Sequence, residues 1–242
     1  MTIQDRAKSV WFGAGREQDA KLLQDWHSAP ITYQPGQETG PEWFADRYEI
    51  YLGNDTSGKL FERASRLVLN NRFYPPEVMV NTSDFGLGKR PVRPGDRVLQ
   101  RIRIFQMRST PVLEVLTMNE ITEVIQEPRR AGFTYTTTTA HSEIGEWSPT
   151  VEWREDGRVV LVIDVVSRAR PGASKWARQF GRKLQLRAHK LSIENFMSQV
   201  RGDYHTQEVK FALVPADLMP VWLLLMAMLV SIAAVFGYRR RG

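Results

Sequence analysis

The fold of this chain is decided by residues 156–200, which read DGRVVLVIDVVSRARPGASKWARQFGRKLQLRAHKLSIENFMSQV. Asp156-Gly157 is a two-residue turn signal between two strand-like segments, residues 150–154 and 158–166. After Pro171-Gly172 the period changes, and apolar residues recur at helical spacing through residues 173–200. The apolar stripe of this segment consists of Trp176, Phe180, Leu184, Ala188, Leu191, Phe196 and Val200. A strand hairpin followed by a long amphipathic helix predicts a sheet with that helix packed against it.

The segments upstream add more strands and two helices. Residues 59–70 have the pattern of an amphipathic helix, with Thr56 or Ser57 available as its cap, and residues 18–26 suggest a shorter helix. Strand patterns cover residues 46–52, 97–107, 112–118, 121–125 and 132–138. Because the connections are short, we expect an α+β fold in which a curved antiparallel sheet packs on a long C-terminal helix.

The composition excludes several kinds of site. The 242 residues include no cysteine, which rules out disulfides, thiolate catalysis and cysteine-based metal centres. The four histidines are not at metal-ligand spacing, and no glycine-rich nucleotide-binding motif is present. We therefore expect neither a metal nor a cofactor.

A second boundary lies near the C-terminus, where 21 residues from Leu218 to Tyr238 contain no charge. A helix of this length spans roughly 30 Å, the thickness of the bilayer hydrocarbon. Pro220 near its start, and Trp222 and Tyr238 near its ends, fit a single transmembrane helix. We predict a domain order of irregular N-terminal extension (1–29), α+β domain (30–205), linker (206–217), transmembrane helix (218–238) and basic tail (239–242).

The direction of insertion has two conflicting signals. The N-terminal residues contain no apolar segment of the secretory type, which favours a tail anchor with the globular domain in the cytoplasm. Arg239, Arg240 and Arg241 would instead favour a cytoplasmic C-terminus. We give more weight to the missing signal and expect a single-pass membrane protein with a cytoplasmic domain.

The densest polar cluster runs from Tyr135 to Glu146 and includes His141 between hydroxyl and carboxylate side chains. His141 beside Glu143 or Glu146 would suit acid–base chemistry, or could orient the polar group of a ligand. The alternative is a solvated loop in which Ser142 and Glu143 cap a turn and Gly145 supplies an unusual backbone angle.

The strongest charge cluster lies around the final helix, where eight basic residues and no acidic one occur between Arg168 and Lys190. With an anchor so close, anionic lipid head groups are the expected partner, and nucleic acid is not expected because no aromatic-rich binding motif accompanies the charges. The alternative is a simple solvated helix face. The residues predicted for membrane-surface contact are Lys175, Arg178, Arg182, Lys183, Arg187, Lys190, Arg239, Arg240 and Arg241.

Taken together, these stretches resemble the domain-of-unknown-function family DUF1990, also called uncharacterised protein family 0548. The resemblance covers about residues 30–202, and its most specific part is the pattern G-F-x-Y-x-T-x-x-x-H-x-E-x-G-E between Gly132 and Glu146. The other matching positions are Tyr33 to Gly36, Leu52-Gly53, Leu60 to Ala64, Ser167-Arg168, Trp176 and Leu184-Gln185. The chain departs from the family pattern at Thr136, Ala140, Ser142 and Trp147.

The resemblance implies a START-like, helix-grip fold, whose curved sheet holds a long C-terminal helix around a hydrophobic pocket, but it implies no reaction. Our leading hypothesis is a membrane-anchored protein that binds a lipid or another hydrophobic molecule. The candidate ligand-binding residues are Tyr135, Thr137, His141, Glu143 and Arg168. The alternatives are an enzyme in which His141 acts with Glu146 or Glu143, and an adaptor for another membrane protein.

Overall fold

The computed structural model describes residues 10–11, 17–107, 110–173 and 175–202. Four helices lie in these ranges: α1 (Glu17–Asp25), α2 (Lys59–Leu69), α3 (Asp84–Leu87) and α4 (Lys175–Arg201). The strands are β1 (Val10–Trp11), β2 (Phe44–Asn54), β3 (Met79–Ser83), β4 (Arg97–Met107), β5 (Thr110–Glu127), β6 (Arg130–Thr137), β7 (Glu143–Trp153) and β8 (Arg158–Ala169).

Seven strands form one antiparallel, curved sheet in the order β2-β8-β7-β6-β5-β4-β3, and β1 pairs with the first part of β5. The sheet begins with an edge pair that is distant in sequence, because β2 pairs with β8 from Phe44↔Ser167 to Asn54↔Arg158. This order, together with the C-terminal α4, is consistent with a helix-grip fold, as the sequence predicted.

The main core lies between the concave face of the sheet and the helices α2 and α4. Its members include Val68 of α2, Phe196 and Val200 of α4, and the alternating residues Val159 to Val165 of β8. Alternation along β8 follows from the two-residue period of a strand, so Val159, Leu161, Ile163 and Val165 all face the helices. These contacts fix the C-terminal half of α4 on the sheet.

The opposite face of β4 and β5 is covered by α1. Leu23 of α1 packs against Leu99 and Met118, and Asp19 forms a buried ion pair with Arg101. Arg101 also contacts Glu114, with 2.8 Å between Nη1 and Oε2. The folded body therefore includes residues 17–25 as well as the α+β domain predicted from residue 30.

Several element boundaries differ from the sequence prediction. We predicted two strands, at 112–118 and 121–125, whereas β5 is one strand that absorbs an irregularity between Ile121 and Glu123. The strand β3 and the short helix α3 were not predicted, and β7 begins at Glu143 rather than near residue 150. The N-cap residue of α2 is Gly58 rather than Thr56 or Ser57, and the Asp55 carboxylate just before it accepts the backbone N–H groups of Gly58 and Phe61.

No helix in the described ranges is both long and apolar enough to cross a bilayer. The segment 218–238 and Arg239, Arg240 and Arg241, for which we predicted an anchor and a basic tail, lie outside the described residues.

Candidate functional site

The concave face of the sheet and the N-terminal half of α4 enclose a cluster of polar side chains. Gln185 of α4 donates from Nε2 to Ser167 Oγ of β8 (3.0 Å) and lies 3.5 Å from Oε2 of Glu143 at the start of β7. The three consecutive elements β7, β8 and α4 are thus joined through one carboxamide. We refer to this region as the α4 site.

In the α4 site, the carboxyl group of Glu143 has a strongly raised pKa. Burial raises its pKa from 4.5 to about 7, while the nearby charge of Arg182 acts in the opposite direction. At neutral pH the Glu143 carboxyl is therefore present in both its protonated and its ionised form, and it can donate or accept a proton.

Arg182 does not extend freely from α4 but lies against the sheet. Its guanidinium donates to Asp46 Oδ1 of β2 (2.6 Å) and to Gln185 Oε1 (2.7 Å), and its carbon Cζ is 4.6 Å from the ring centroid of Phe44. Of the other helix residues predicted to contact lipid head groups, Lys175, Arg178, Lys183 and Lys190 are exposed and Arg187 is half-buried. Arg182 thus holds α4 on β2.

Aromatic side chains form the wall of the α4 site next to Glu143. The rings of Tyr135 and Trp147 are 5.1 Å apart, and Tyr74 lies 6.3 Å from Trp147. Burial raises the pKa of both tyrosines, and the charge of Glu143 contributes in the same direction. The Tyr135 hydroxyl is positioned by Gln100, whose Nε2 lies 3.3 Å away.

Buried polar atoms in this region have no hydrogen-bond partner among the described residues. In the α4 site they are Asp46 Oδ2, Trp147 Nε1, His189 Nδ1 and Asn119 Oδ1. Strand alternation places the sheet residues of this group on the concave face, and His189 faces Tyr48 of β2 with ring centroids 5.9 Å apart. Since buried polar groups are nearly always satisfied by protein, water or ligand, these atoms are candidates for hydrogen bonds to water or to a bound molecule.

His141 has a different environment from the one an acid–base residue needs. Its Nδ1 accepts the backbone N–H of Glu143 (2.9 Å), so the ring proton is on Nε2. Burial, together with the charge of Arg170, lowers the pKa of His141 to about 3. The backbone carbonyl of His141 accepts from Arg170 Nε at 2.5 Å. His141 is therefore neutral at physiological pH, and its contacts hold the turn before β7.

Glu146 lies on the opposite face of the sheet from Glu143, because the two are separated by three positions in one strand. Its pKa is raised by burial and by the charges of Glu38, Glu123 and Asp164, which surround it on that outer face. The structure therefore does not bring Glu146 together with Glu143 or His141.

The remaining predicted ligand residues, Thr137 and Arg168, lie at the margins. Thr137 Oγ1 accepts the backbone N–H of Gly145 (3.0 Å) and is 2.8 Å from Thr32 Oγ1. Arg168 is on the outer face, with Nη1 3.3 Å from Glu42 Oε1 and Cζ 4.8 Å from the ring centroid of Trp43. Of the five predicted ligand residues, only Tyr135 and Glu143 are side by side in the α4 site.

Gly145 allows β7 and β8 to approach closely beside Glu143. It has φ +153°, and a Cβ at this position would collide with the carbonyl oxygen of Val166 and the Cα of Ser167. The short distance between β7 and β8 therefore explains why glycine occupies this position of the family pattern.

Sequence reasoning missed Asp46, Tyr74, His189 and Asn119 as members of the site. Asp46 and Tyr48 carried a usable signal, since they alternate with Ile50 and therefore share the buried face of β2. The other three positions depend on long-range pairing that no local pattern reveals. No cluster of three or more potential metal ligands is found in the part of the chain that the structure describes.

Comparison with protein families identifies the family of this chain. The profile described as Domain of unknown function (DUF1990) matches residues 28–195, more than two thirds of the chain. The chain belongs to the DUF1990 family. The resemblance seen in the sequence is thereby confirmed, and the DUF1990 match contains every residue of the α4 site named above.

Solved structures match about two thirds of this chain at low identity. A hypothetical protein from Helicobacter pylori has a TM-score of 0.49 and 12% identity, covering 71% of this chain and 96% of its own. A protein of unknown function from Staphylococcus aureus has a TM-score of 0.39 and 9% identity, covering 67% and 97%. The structure of Ara h 8.0201 has a TM-score of 0.40 and 13% identity, covering 66% and 99%. Comparison with curated proteins found no match.

Proposed function

We propose that this DUF1990 domain binds a small amphipathic molecule between the concave sheet and the N-terminal half of α4. The observation that carries the proposal is the set of buried polar atoms without partners beside Glu143. An apolar interior with satisfied polar groups would need no guest, whereas these atoms lose hydration without gaining a bond.

The chemistry of the α4 site describes the guest. Tyr135, Trp147 and Tyr74 offer aromatic surface to an apolar body, as is usual in ligand pockets. Asp46 Oδ2 and Asn119 Oδ1 accept hydrogen bonds, and Trp147 Nε1 donates one. A hydrophobic molecule with a hydroxyl, amide or similar head group fits both the aromatic surfaces and the polar atoms without partners. This description is narrower than the lipid or other hydrophobic molecule expected from the sequence.

Two tryptophans of β7 provide a matched test of this proposal. Trp147→Phe removes the partnerless N–H inside the site, whereas Trp153→Phe removes an N–H already bonded to the Asp55 carbonyl (3.0 Å). We expect molecules extracted from the purified full chain, measured by mass spectrometry, to fall several-fold in Trp147→Phe with little change in melting temperature. Trp153→Phe should lower the melting temperature and leave the extracted molecule unchanged. Full chain that repeatedly yields no bound molecule would refute the proposal.

We further propose that residues 218–238 anchor the domain in a membrane, with the domain on the cytoplasmic side. The support is the uncharged run itself, which ends at Arg239 to Arg241, and the exposed basic residues of α4 that would meet anionic head groups. In membrane fractions extracted at alkaline pH, we expect the full chain to remain with the pellet. A variant with Leu225→Arg and Val230→Arg should be released. The sidedness is tested with sealed vesicles whose cytoplasmic face points outward. If added protease digests the domain only after these vesicles are opened, the cytoplasmic placement is contradicted.

An enzyme acting on a hydrophobic substrate is the second candidate, and the raised pKa of Glu143 is the observation in its favour. A carboxyl that titrates near neutrality is suited to general acid or base catalysis, a role that the neutral, turn-fixing His141 does not share. If metabolite screening finds a substrate, Glu143→Gln should abolish turnover while leaving binding measurable. Turnover that is unchanged in Glu143→Gln would exclude this carboxyl as the acid or base. The adaptor hypothesis stays a prediction, testable by pull-down with and without residues 206–242.

A further inference from the structure

A second concave region lies at the C-terminal end of α2, between that end, the strand β3 and the segment 83–92. It encloses about 900 Å³. Tyr74 lies between this region and the α4 site, since it lines the one and its ring is near Trp147 of the other. We call the region the α2 groove. Nothing in the family description assigns it a role.

Asn71 sits at the floor of the α2 groove and closes α2. It follows the C-cap Asn70 with φ +53°, and its N–H bonds to Val68 O (2.8 Å) while Arg72 N bonds to Leu67 O (3.0 Å). This backbone arrangement is usually occupied by glycine, which adopts positive φ without strain. Asparagine gives the same helix end and adds a carboxamide that glycine lacks.

That carboxamide is buried and has no partner. Asn71 is only 7% exposed, and neither its Nδ2 nor its Oδ1 has a hydrogen-bond partner among the described residues. Asn81 Oδ1, also in the lining, is in the same condition. The floor of the groove therefore offers two acceptors and one donor group to an occupant.

The rim of the α2 groove is positively charged. Arg66, Arg72, Lys89 and Arg90 belong to the lining, and no aspartate or glutamate stands among the described lining residues. Arg66 pairs with Glu62 (2.8 Å) and Arg90 with Asp96 (2.5 Å). Arg72 and Lys89 are exposed and form no ion pair within the described part of the chain. Their charges are available to an anion that reaches the groove.

We propose that the α2 groove binds a small organic anion that also carries N–H or O–H donors on an apolar body. The anionic group meets Arg72 and Lys89, the donors meet the oxygens of Asn71 and Asn81, and the apolar part lies along Leu69, Met79 and Val92. This site is separate from the α4 site and does not depend on the function proposed there.

Two probes with neutral counterparts test the proposal on the purified full chain by calorimetric titration. AMP is paired with adenosine, and N-acetyltryptophan with N-acetyltryptophanamide, so that phosphate and carboxylate sources are separated and the charge is tested within each pair. We expect at least one anion to bind saturably, and its neutral counterpart to bind at least tenfold more weakly.

Four variants locate the binding. Asn71→Gly keeps the positive φ and removes only the carboxamide, and Arg72→Gln with Lys89→Gln removes the free charges; each should weaken the anion at least tenfold. Lys59→Gln, an exposed lysine at the other end of α2, should change nothing, and Trp147→Phe should leave anion binding intact. Absence of saturable binding by both anions, or equal binding by wild type, Asn71→Gly and the double variant, would overturn the proposal.

Discussion

At the scale of single residues, Glu143 determines a measurable part of the pH dependence of stability. Its pKa rises from 4.5 in the unfolded chain to about 7 in the folded domain, so the native state favours the protonated form. The stabilisation is complete below pH 4.5 and is lost as pH rises through 7, by up to about 3 kcal/mol. We expect Glu143→Gln to gain stability relative to wild type between pH 5 and pH 8, as measured by urea denaturation at each pH.

Two buried histidines change the pH dependence of stability in the opposite direction to Glu143. Their effect cancels when the stability of wild type is compared with that of Glu143→Gln. Burial lowers the pKa of His141 to about 3 and that of His189 to about 4, so their contribution is present above pH 6.5 and is lost as pH falls. Both histidines are present in wild type and variant alike. A stability difference between the two proteins that stays constant from pH 5 to pH 8 would contradict the raised pKa of Glu143.

Gly145 is the residue at which the smallest substitution should cost most. The added methyl group of Gly145→Ala meets the backbone of β8, which has no rotamer to change, so we expect a loss of about 3 kcal/mol. Gly181→Ala is the control, since a Cβ there has no atom within 4 Å and alanine favours a helix interior. Thermal unfolding of the two variants should show a large decrease and a small increase. Equal melting temperatures would mean that β7 and β8 can separate without cost.

At the scale of elements, α4 is held unequally along its length. Its C-terminal half buries Phe196 and Val200 and is tied to the loop after α2 by Asn195 Nδ2, which donates to Phe73 O (2.7 Å). The N-terminal half is more exposed and is held on β2 by Arg182 and Asp46. Because opening free energy follows buried contact, we expect amide hydrogen exchange to be faster in residues 175–187 than in 188–201.

The variant Arg182→Gln sharpens this prediction about α4. It removes the ion pair with Asp46, so exchange should accelerate in the N-terminal half alone, whereas Lys183→Gln on the exposed side should have no effect. Exchange measured by mass spectrometry resolves the two halves. A uniform rate along α4 in wild type, or acceleration of both halves in the variant, would show that the helix opens as one unit.

The same elements show how far sequence reasoning could go. The sequence predicted the strand Arg97–Met107 from its two-residue period and the helices α2 and α4 from their helical period. These periods are visible because each element buries one face. The strand β3 was not, since its five residues lack a clear alternation and its pairing partner lies beyond a turn. Within the site, Tyr135 and Glu143 were found because they belong to the densest polar cluster of the sequence and to the family pattern. The facing residues Asp46 and His189 become neighbours only through the pairing of β2 with β8 and the packing of α4.

At the scale of the whole molecule, the two proposed binding regions lie on either side of Tyr74 and differ in charge. The α4 site contains the Glu143 carboxyl with its raised pKa, and the α2 groove has the exposed Arg72 and Lys89 in its lining. A membrane-attached domain with this division would present an interior for an amphipathic guest and a separate basic surface for a soluble anion. Occupancy of one region need not exclude occupancy of the other.

The pairing of β2 with β8 also sets the order in which the domain can form during synthesis. Phe44 can pair only after Ser167 has been synthesised. The other residues of β2 likewise have no partner in β8 until more than a hundred further residues have been made. Contacts of such long range are slow to form and leave apolar surface uncovered meanwhile. Closure of the sheet therefore falls late in translation, shortly before the apolar run 218–238 is made. If residues 218–238 insert into a membrane as proposed, folding of the domain and delivery of that segment fall in the same short interval of synthesis.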